Sequence, residues 1–176
     1  MKKVLFIVAY EGFNDRELLV TRERLMNKGY DVEVASTSLG FATGMSGTTV
    51  KPDLDLEEAA INLNRYSAIV FIGGNGAKRH FGSALCHEIA KDASKAGKVV
   101  AAISVAPVIL AKAGILDGVD ATVFTRAFDR RYADELKFNG ARYHAKEVIA
   151  DRNIVTADSP EAAEKFANKI SELMEG

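Results

Sequence analysis

Apolar runs of strand length alternate with segments of helical period almost throughout this chain, a pattern that predicts an α/β fold: a doubly wound parallel sheet with helices on both faces. Three observations carry the prediction. The runs Lys3 to Ala9, Ser67 to Ile72 and Val99 to Ile103 are apolar without alternation, as strands buried on both faces are. The segments between them carry apolar residues at three- and four-residue spacing, which lines one face of a helix. The distance from the first strand to the second fits a right-handed strand-helix-strand unit, and such a unit requires parallel strands. With 176 residues, 48% of them hydrophobic, the chain can close a full core, and one domain spanning 1–176 is expected.

Taken in order, Lys3 to Ala9 is the first strand and ends at Tyr10-Glu11-Gly12-Phe13. A helix opens at Asn14 with Glu17 three residues on, carries Leu18, Leu19, Arg22, Leu25 and Met26 on one face, and stops at Gly29. Tyr30 to Ser36 is the second strand. Leu39 to Val50, with Gly40, Gly44 and Gly47 among short apolar pieces, reads as a small hairpin excursion. An acidic helical turn after Lys51-Pro52-Asp53 leads to the strand Ser67 to Ile72, which breaks into Gly73-Gly74-Asn75-Gly76-Ala77. Ser83 begins a helix with Leu85, Ile89 and Ala93 inward, closing at Gly97. Val108, Ile109, Ala111 and Leu116 cover the next, which stops near Gly114. A short strand from Ala121 to Phe124 and a helix from Arg130 to Phe138 follow. Val148 to Ala150 pairs with Ile154 to Thr156 across Asp151-Arg152-Asn153. Ser159-Pro160 caps the last helix, whose inner face is Ala163, Phe166, Ala167, Ile170 and Leu173.

Charge announces no partner. The net charge is -1, and the interspersed acidic and basic residues form neither a stripe for nucleic acid nor a polybasic patch for membrane. The single cysteine, Cys86, excludes an internal disulfide framework. The N-terminal apolar run is too short for a signal peptide or a membrane span, so the chain reads as cytoplasmic.

The stretch Val99-Val100-Ala101-Ala102-Ile103-Ser104-Val105-Ala106-Pro107 carries the strongest chemical signal. A buried strand runs straight into one hydroxyl, and a proline suited to the first turn of a helix follows three residues later. The chain must bend sharply at Ser104 and lift its side chain above the sheet edge, as at a nucleophile elbow. The small residues Ala102 and Ala106 meet the steric demand that glycines meet in the G-x-S-x-G version. The bland alternative is a strand followed by a helix that Ser104 merely caps.

In an open parallel sheet, ligands gather outside the C-terminal strand edges. Ser104, the Gly73-Gly74 turn and the loop carrying Glu17 all fall there. Glu17 can hydrogen-bond the elbow side chain, the Gly74 and Val105 N–H groups can form an oxyanion hole, and Gly73 and Asn75 are the expected substrate-binding positions. Glu17 also has a purely structural reading as half of a capping box behind Asn14, and the two roles can coexist. The glycine loop lacks the spacing of a phosphate loop, and no nucleotide or other cofactor is expected. His80 and His87 lack a third ligand at metal spacing, so they read as solvated helix surface and no metal is expected. Cys86 reads as a partly buried thiol.

Phe71-Ile72-Gly73-Gly74-Asn75-Gly76-Ala77, Gly97 through Pro107 and Asn153-Ile154-Val155-Thr156-Ala157 resemble signature segments of the ThiJ/PfpI superfamily. Gly12-Phe13 through Glu17, and Ser46-Gly47 with Val50 to Asp53, are weaker matches. The resemblance spans nearly the whole chain. It implies a flavodoxin-like fold related to class I glutamine amidotransferases, and a family that includes intracellular peptidases, glutathione-independent glyoxalases, deglycases, chaperones and redox sensors. It further implies that position 104 is the nucleophile, that Glu17 is the acid beside it, and that the chain forms a homodimer or larger homo-oligomer.

One departure from the pattern matters. The family carries cysteine at the elbow, and here Ser104 stands in its place. A thiol near pKa 8.5 is readily shifted to thiolate, whereas an alcohol needs an adjacent general base. Peptidase-like members place histidine directly after the cysteine, and Val105 occupies that position. Proteolysis is therefore not expected, and cysteine-based redox sensing at position 104 is excluded. Two readings follow: an enzyme-type pocket for a small carbonyl or acyl compound with impaired or altered chemistry, or a non-catalytic binding, regulatory or chaperone-type member of the same fold.

Overall fold

The structure, a computed structural model describing residues 1–176, contains twelve strands and six α-helices. In chain order they begin β1 (Lys3–Ile7), β2 (Glu11–Phe13), α1 (Asp15–Asn27), β3 (Asp31–Ser36), β4 (Ala42–Gly44), β5 (Thr49–Val50), β6 (Leu54–Asp55), α2 (Leu56–Ile61) and β7 (Ala68–Phe71). They continue α3 (Ala84–Lys95), β8 (Val99–Ile103), α4 (Pro107–Lys112), β9 (Asp120–Ala121), α5 (Arg131–Phe138), β10 (Arg142–Tyr143), β11 (Val148–Asp151), β12 (Ile154–Ala157) and α6 (Ala163–Glu175).

Seven strands form the central sheet in the order β11-β12-β8-β7-β1-β3-β6, parallel except for the edge strand β11. Its faces carry separate cores of 30 and 23 buried residues, so both are covered, and this is why the inner strands read as unbroken apolar runs. Leu5, Ile7, Ile69, Phe71, Val100 and Ala102 face α2, α3 and α4. Val4, Phe6, Val70, Ala101 and Ile103 face the other way, with Leu18 and Leu25 of α1 and Phe166 and Ile170 of α6. The chain leaves β1 for β3 on one side and returns to β7 on the other. Strand order therefore reverses between β1 and β7, which opens a crevice at their C-terminal ends.

Smaller features depart from the pattern read above. Leu19 and Met26 of α1 are 41% and 55% exposed, because α1 turns only the stripe of Leu18, Thr21 and Leu25 inward. The hairpin of β4 and β5 gains β2 as a third strand, parallel to β4. Of the stretch Ala121 to Phe124 only Ala121 is strand, in β9 paired parallel with β10; Phe124 instead donates its N–H to the Ser104 carbonyl at 2.9 Å. Ser159 makes no side-chain cap: a tight turn over Pro160–Ala162 leads into α6, and Met174 rather than Leu173 completes its buried face.

Candidate active site

At the end of β8 the backbone of Ser104 is left-handed, with φ of 64°. L-residues adopt that conformation at a cost of about 1–2 kcal/mol, so it persists only where the surroundings impose it. Here the Ser104 N–H donates to the Ala157 carbonyl of β12 at 2.9 Å, while its own carbonyl accepts from Phe124. Both backbone groups are fixed across to neighbouring segments, and α4 starts immediately after with Pro107 in its first turn. The side chain is left 6% exposed at the sheet edge. This is a strand-to-helix elbow, not a helix cap: α4 receives no side-chain cap bond.

Glu17 arrives from the first turn of α1. Asn14 caps that helix, its Oδ1 accepting from the Glu17 N–H at 3.0 Å. The Asn14 N–H in turn donates to the Gly73 carbonyl at 2.9 Å, which moors the helix start to the loop after β7. The Glu17 carboxyl reaches under that loop and its Oε1 accepts the Gly73 N–H at 2.8 Å. Asn14 is therefore the cap, and the capping box read from the sequence is not closed: the Asn14 N–H goes to Gly73, which leaves the Glu17 carboxyl to bond the Gly73 N–H instead.

Gly73 is the hinge of this arrangement. A Cβ there would lie 2.6 Å from the Ile103 carbonyl, 2.7 Å from Glu17 Oε1 and 2.9 Å from Ser104 Cβ. Only a glycine can separate carboxyl and elbow. Gly74 is equally constrained, with φ of 112° and a Cβ position overlapping Asn14 N and Gly12 O. The Gly74 and Val105 N–H groups donate to no other group of the chain. Asn75 donates its N–H to Met45 Sδ at 3.4 Å.

Glu17 is completely buried, and its Oε2 has no hydrogen-bond partner. Burial pushes its carboxyl up to about 8; the Gly73 N–H and the neighbouring Ser104 hydroxyl hold it back, and Glu161 adds a little repulsion. Burial therefore favours the protonated carboxyl at neutral pH, a form that donates a hydrogen bond and leaves only a minority ionised to act as a base.

A cleft of about 240 Å³ opens beside Val105 and Asn75, bounded by Lys78, Phe124, Arg126 and Tyr132. These last four residues were not singled out from the sequence. The signal available was three arginines in six residues, Arg126, Arg130 and Arg131, directly after a strand-like run. The histidines lie elsewhere. His80 is 5% exposed, not solvated, and lines a separate cavity of about 300 Å³ with Tyr10, Thr37 and Ser83. His80 and His87 also belong to different elements, a tight turn and α3, and His87 bonds the Phe81 carbonyl. His144 pairs with Asp120. Cys86 is fully buried, deeper than its sequence context suggested, because it lies on the inward face of α3.

The fold and the elbow define a class: a doubly wound α/β protein whose strand-to-helix turn presents one side chain beside a buried carboxyl. Within that class the chain belongs to the DJ-1/PfpI family, whose model matches residues 2–173. It is 34% identical over 158 residues to Deglycase PfpI of Pyrococcus furiosus, covering 90% of each chain. It is 25% identical over 175 residues to the glutathione-independent glyoxalase DJR-1.2 of Caenorhabditis elegans, covering 99% of this chain and 90% of that one. Among solved structures, the ThiJ/PfpI domain protein of Brachyspira murdochii superposes with a TM-score of 0.92 at 26% identity, covering 98% and 96% of the two chains. No helix is long and apolar enough to cross a membrane.

Proposed function

We propose that the chain takes a small carbonyl or acyl compound at the elbow, with Ser104 Oγ as the attacking atom and the Gly74 and Val105 N–H groups receiving the oxyanion. The observation that carries this reading is the left-handed Ser104, aimed at the sheet edge and separated from a protonated Glu17 by Gly73 alone. The deglycase and glyoxalase relatives support the substrate class. Gly73 holds the carboxyl, and Asn75 edges the cleft through which the compound enters.

The chemistry is slow by construction. As Oγ adds to the carbonyl carbon, a C–O bond forms, the carbonyl π electrons move onto oxygen, and the serine proton must leave. A neutral Glu17 does not accept that proton, and none of the three histidines stands at the elbow. The proton goes to the Glu17 carboxylate, so turnover rises with pH as Glu17 ionises, through an apparent pKa of about 8, and levels off above it. A second reading, a pocket that binds without turnover, draws on the same lack of a base.

The test is conversion of methylglyoxal to lactate without glutathione by the native chain, Ser104→Ala and Ser104→Cys. The expected order is Cys fastest, Ser slower by on the order of 10²-fold, the size of one general-base contribution, and Ala inactive. Equal rates for Ser and Ala would remove Ser104 from the chemistry. Turnover by the Cys variant alone would favour the binding reading.

A further inference from the structure

The cleft beside the elbow is cationic, and its cations are of two kinds. Arg131 is spoken for: its Nε donates to Asp129 Oδ1 at 3.0 Å, and its N–H reaches the same oxygen at 3.2 Å. Lys78 and Arg126 are in no ion pair. Arg126 is nonetheless placed. Its guanidinium lies over the Phe124 ring, 5.6 Å from the centroid, and its backbone N–H and carbonyl bridge to Asp129 in a tight turn. Lys78 sits on the turn Asn75–His80, directly downstream of the Gly73-Gly74 loop. Both line the cleft that Val105 borders. Three cations against one carboxylate leave this cleft positive in a chain whose overall charge is -1.

We propose that the elbow prefers an anion over a neutral carbonyl of like size: a small oxo acid or acyl compound whose carboxylate is held by Lys78 and Arg126 while its reactive carbonyl lies against Val105 and Ser104. The proposal rests on the functional reading above and narrows its substrate class. Phe124, fixed by its hydrogen bond to the Ser104 carbonyl, ties the Arg126 side of the cleft to the elbow itself. The planar guanidinium suits a carboxylate bidentately, and Lys78 adds a point charge from the turn Asn75–His80.

The test compares two probes of like size and opposite character: pyruvate, anionic, and 2,3-butanedione, neutral. Each is titrated into the native chain and into Lys78→Gln/Arg126→Gln, following the backbone amide resonances of Gly74 and Val105. Pyruvate is expected to bind the native chain more tightly than butanedione, and the double substitution to weaken pyruvate about 10- to 100-fold while leaving butanedione unchanged. Butanedione binding as tightly as pyruvate, or pyruvate indifferent to the double substitution, would overturn the anion proposal alone. If neither probe moves the two amides in the native chain, the elbow reading fails as well. The unchanged butanedione response also reports that the doubly substituted chain is folded at the site.

Discussion

Three residues carry the proposed chemistry. Ser104 supplies an oxygen where the family resemblance implies sulfur, Gly73 lets a carboxyl lie against it, and burial favours the protonated form of Glu17. The raised carboxyl has a consequence for stability with a definite sign. Its folded-state value of about 8 lies above the ordinary 4.5, so between the two the folded chain holds a proton that the unfolded chain has released. Stability is therefore lost as pH rises through that window and is flat above about 8. The full effect is on the order of 5 kcal/mol. Urea unfolding at mildly acidic and at alkaline pH checks this: Glu17→Gln, which keeps an oxygen for the Gly73 N–H, is expected to lose most of the pH slope. Parallel slopes in both chains would contradict it. Ser104 and Glu17 were legible in the sequence, one from a strand running into a hydroxyl and the other from its place three residues after Asn14. The protonation state was not, since it depends on burial under a loop that begins 56 residues further along the chain.

At the scale of elements, the site depends on how α1 is anchored at its N-terminus. Asn14 caps the helix and moors it to Gly73, while Asp15 receives the Ser46 and Thr48 N–H groups at 2.9 Å each and pins the hairpin of β4 and β5 against the same turn. Burial would raise the Asp15 carboxyl, but the bonds from Thr48 and Ser46 outweigh it and hold it below the usual range. Asn14→Ala is expected to cost about 1 kcal/mol in thermal or urea unfolding. It should also slow Ser104→Cys turnover beyond what the lost stability explains, since the Glu17 carboxyl is aimed by that first turn. Wild-type turnover in the folded variant would show that the cap serves stability only. Local signals such as Asn14, Ser83 and the glycines of the hairpin were readable in sequence because their effects are local. The pairing of β9 with β10 and the outward turn of Leu19 and Met26 were not, because partners distant in the chain decide them.

At the scale of the whole molecule, a seven-stranded sheet brings the ends of β1, β7 and β8 side by side, and thereby brings together residues 17, 73 and 104. That convergence followed from the alternation of strands and helices before any contact was known. The cationic cleft did not, because Lys78 and Arg126 belong to segments with no shared motif and meet only in the folded chain. The proposed chemistry turns on a proton kept inside the fold at this meeting point. It is most directly tested by a ¹³C carboxyl titration of Glu17 in the folded protein, from acid to alkaline pH. A midpoint near 8 is expected, with a change in the Ser104→Ala chain that marks the shared environment of the two side chains. A midpoint in the ordinary carboxylate range near 4.5 would contradict the account: Glu17 would then be an exposed or ion-paired acid, and Ser104 would face a carboxylate at neutral pH.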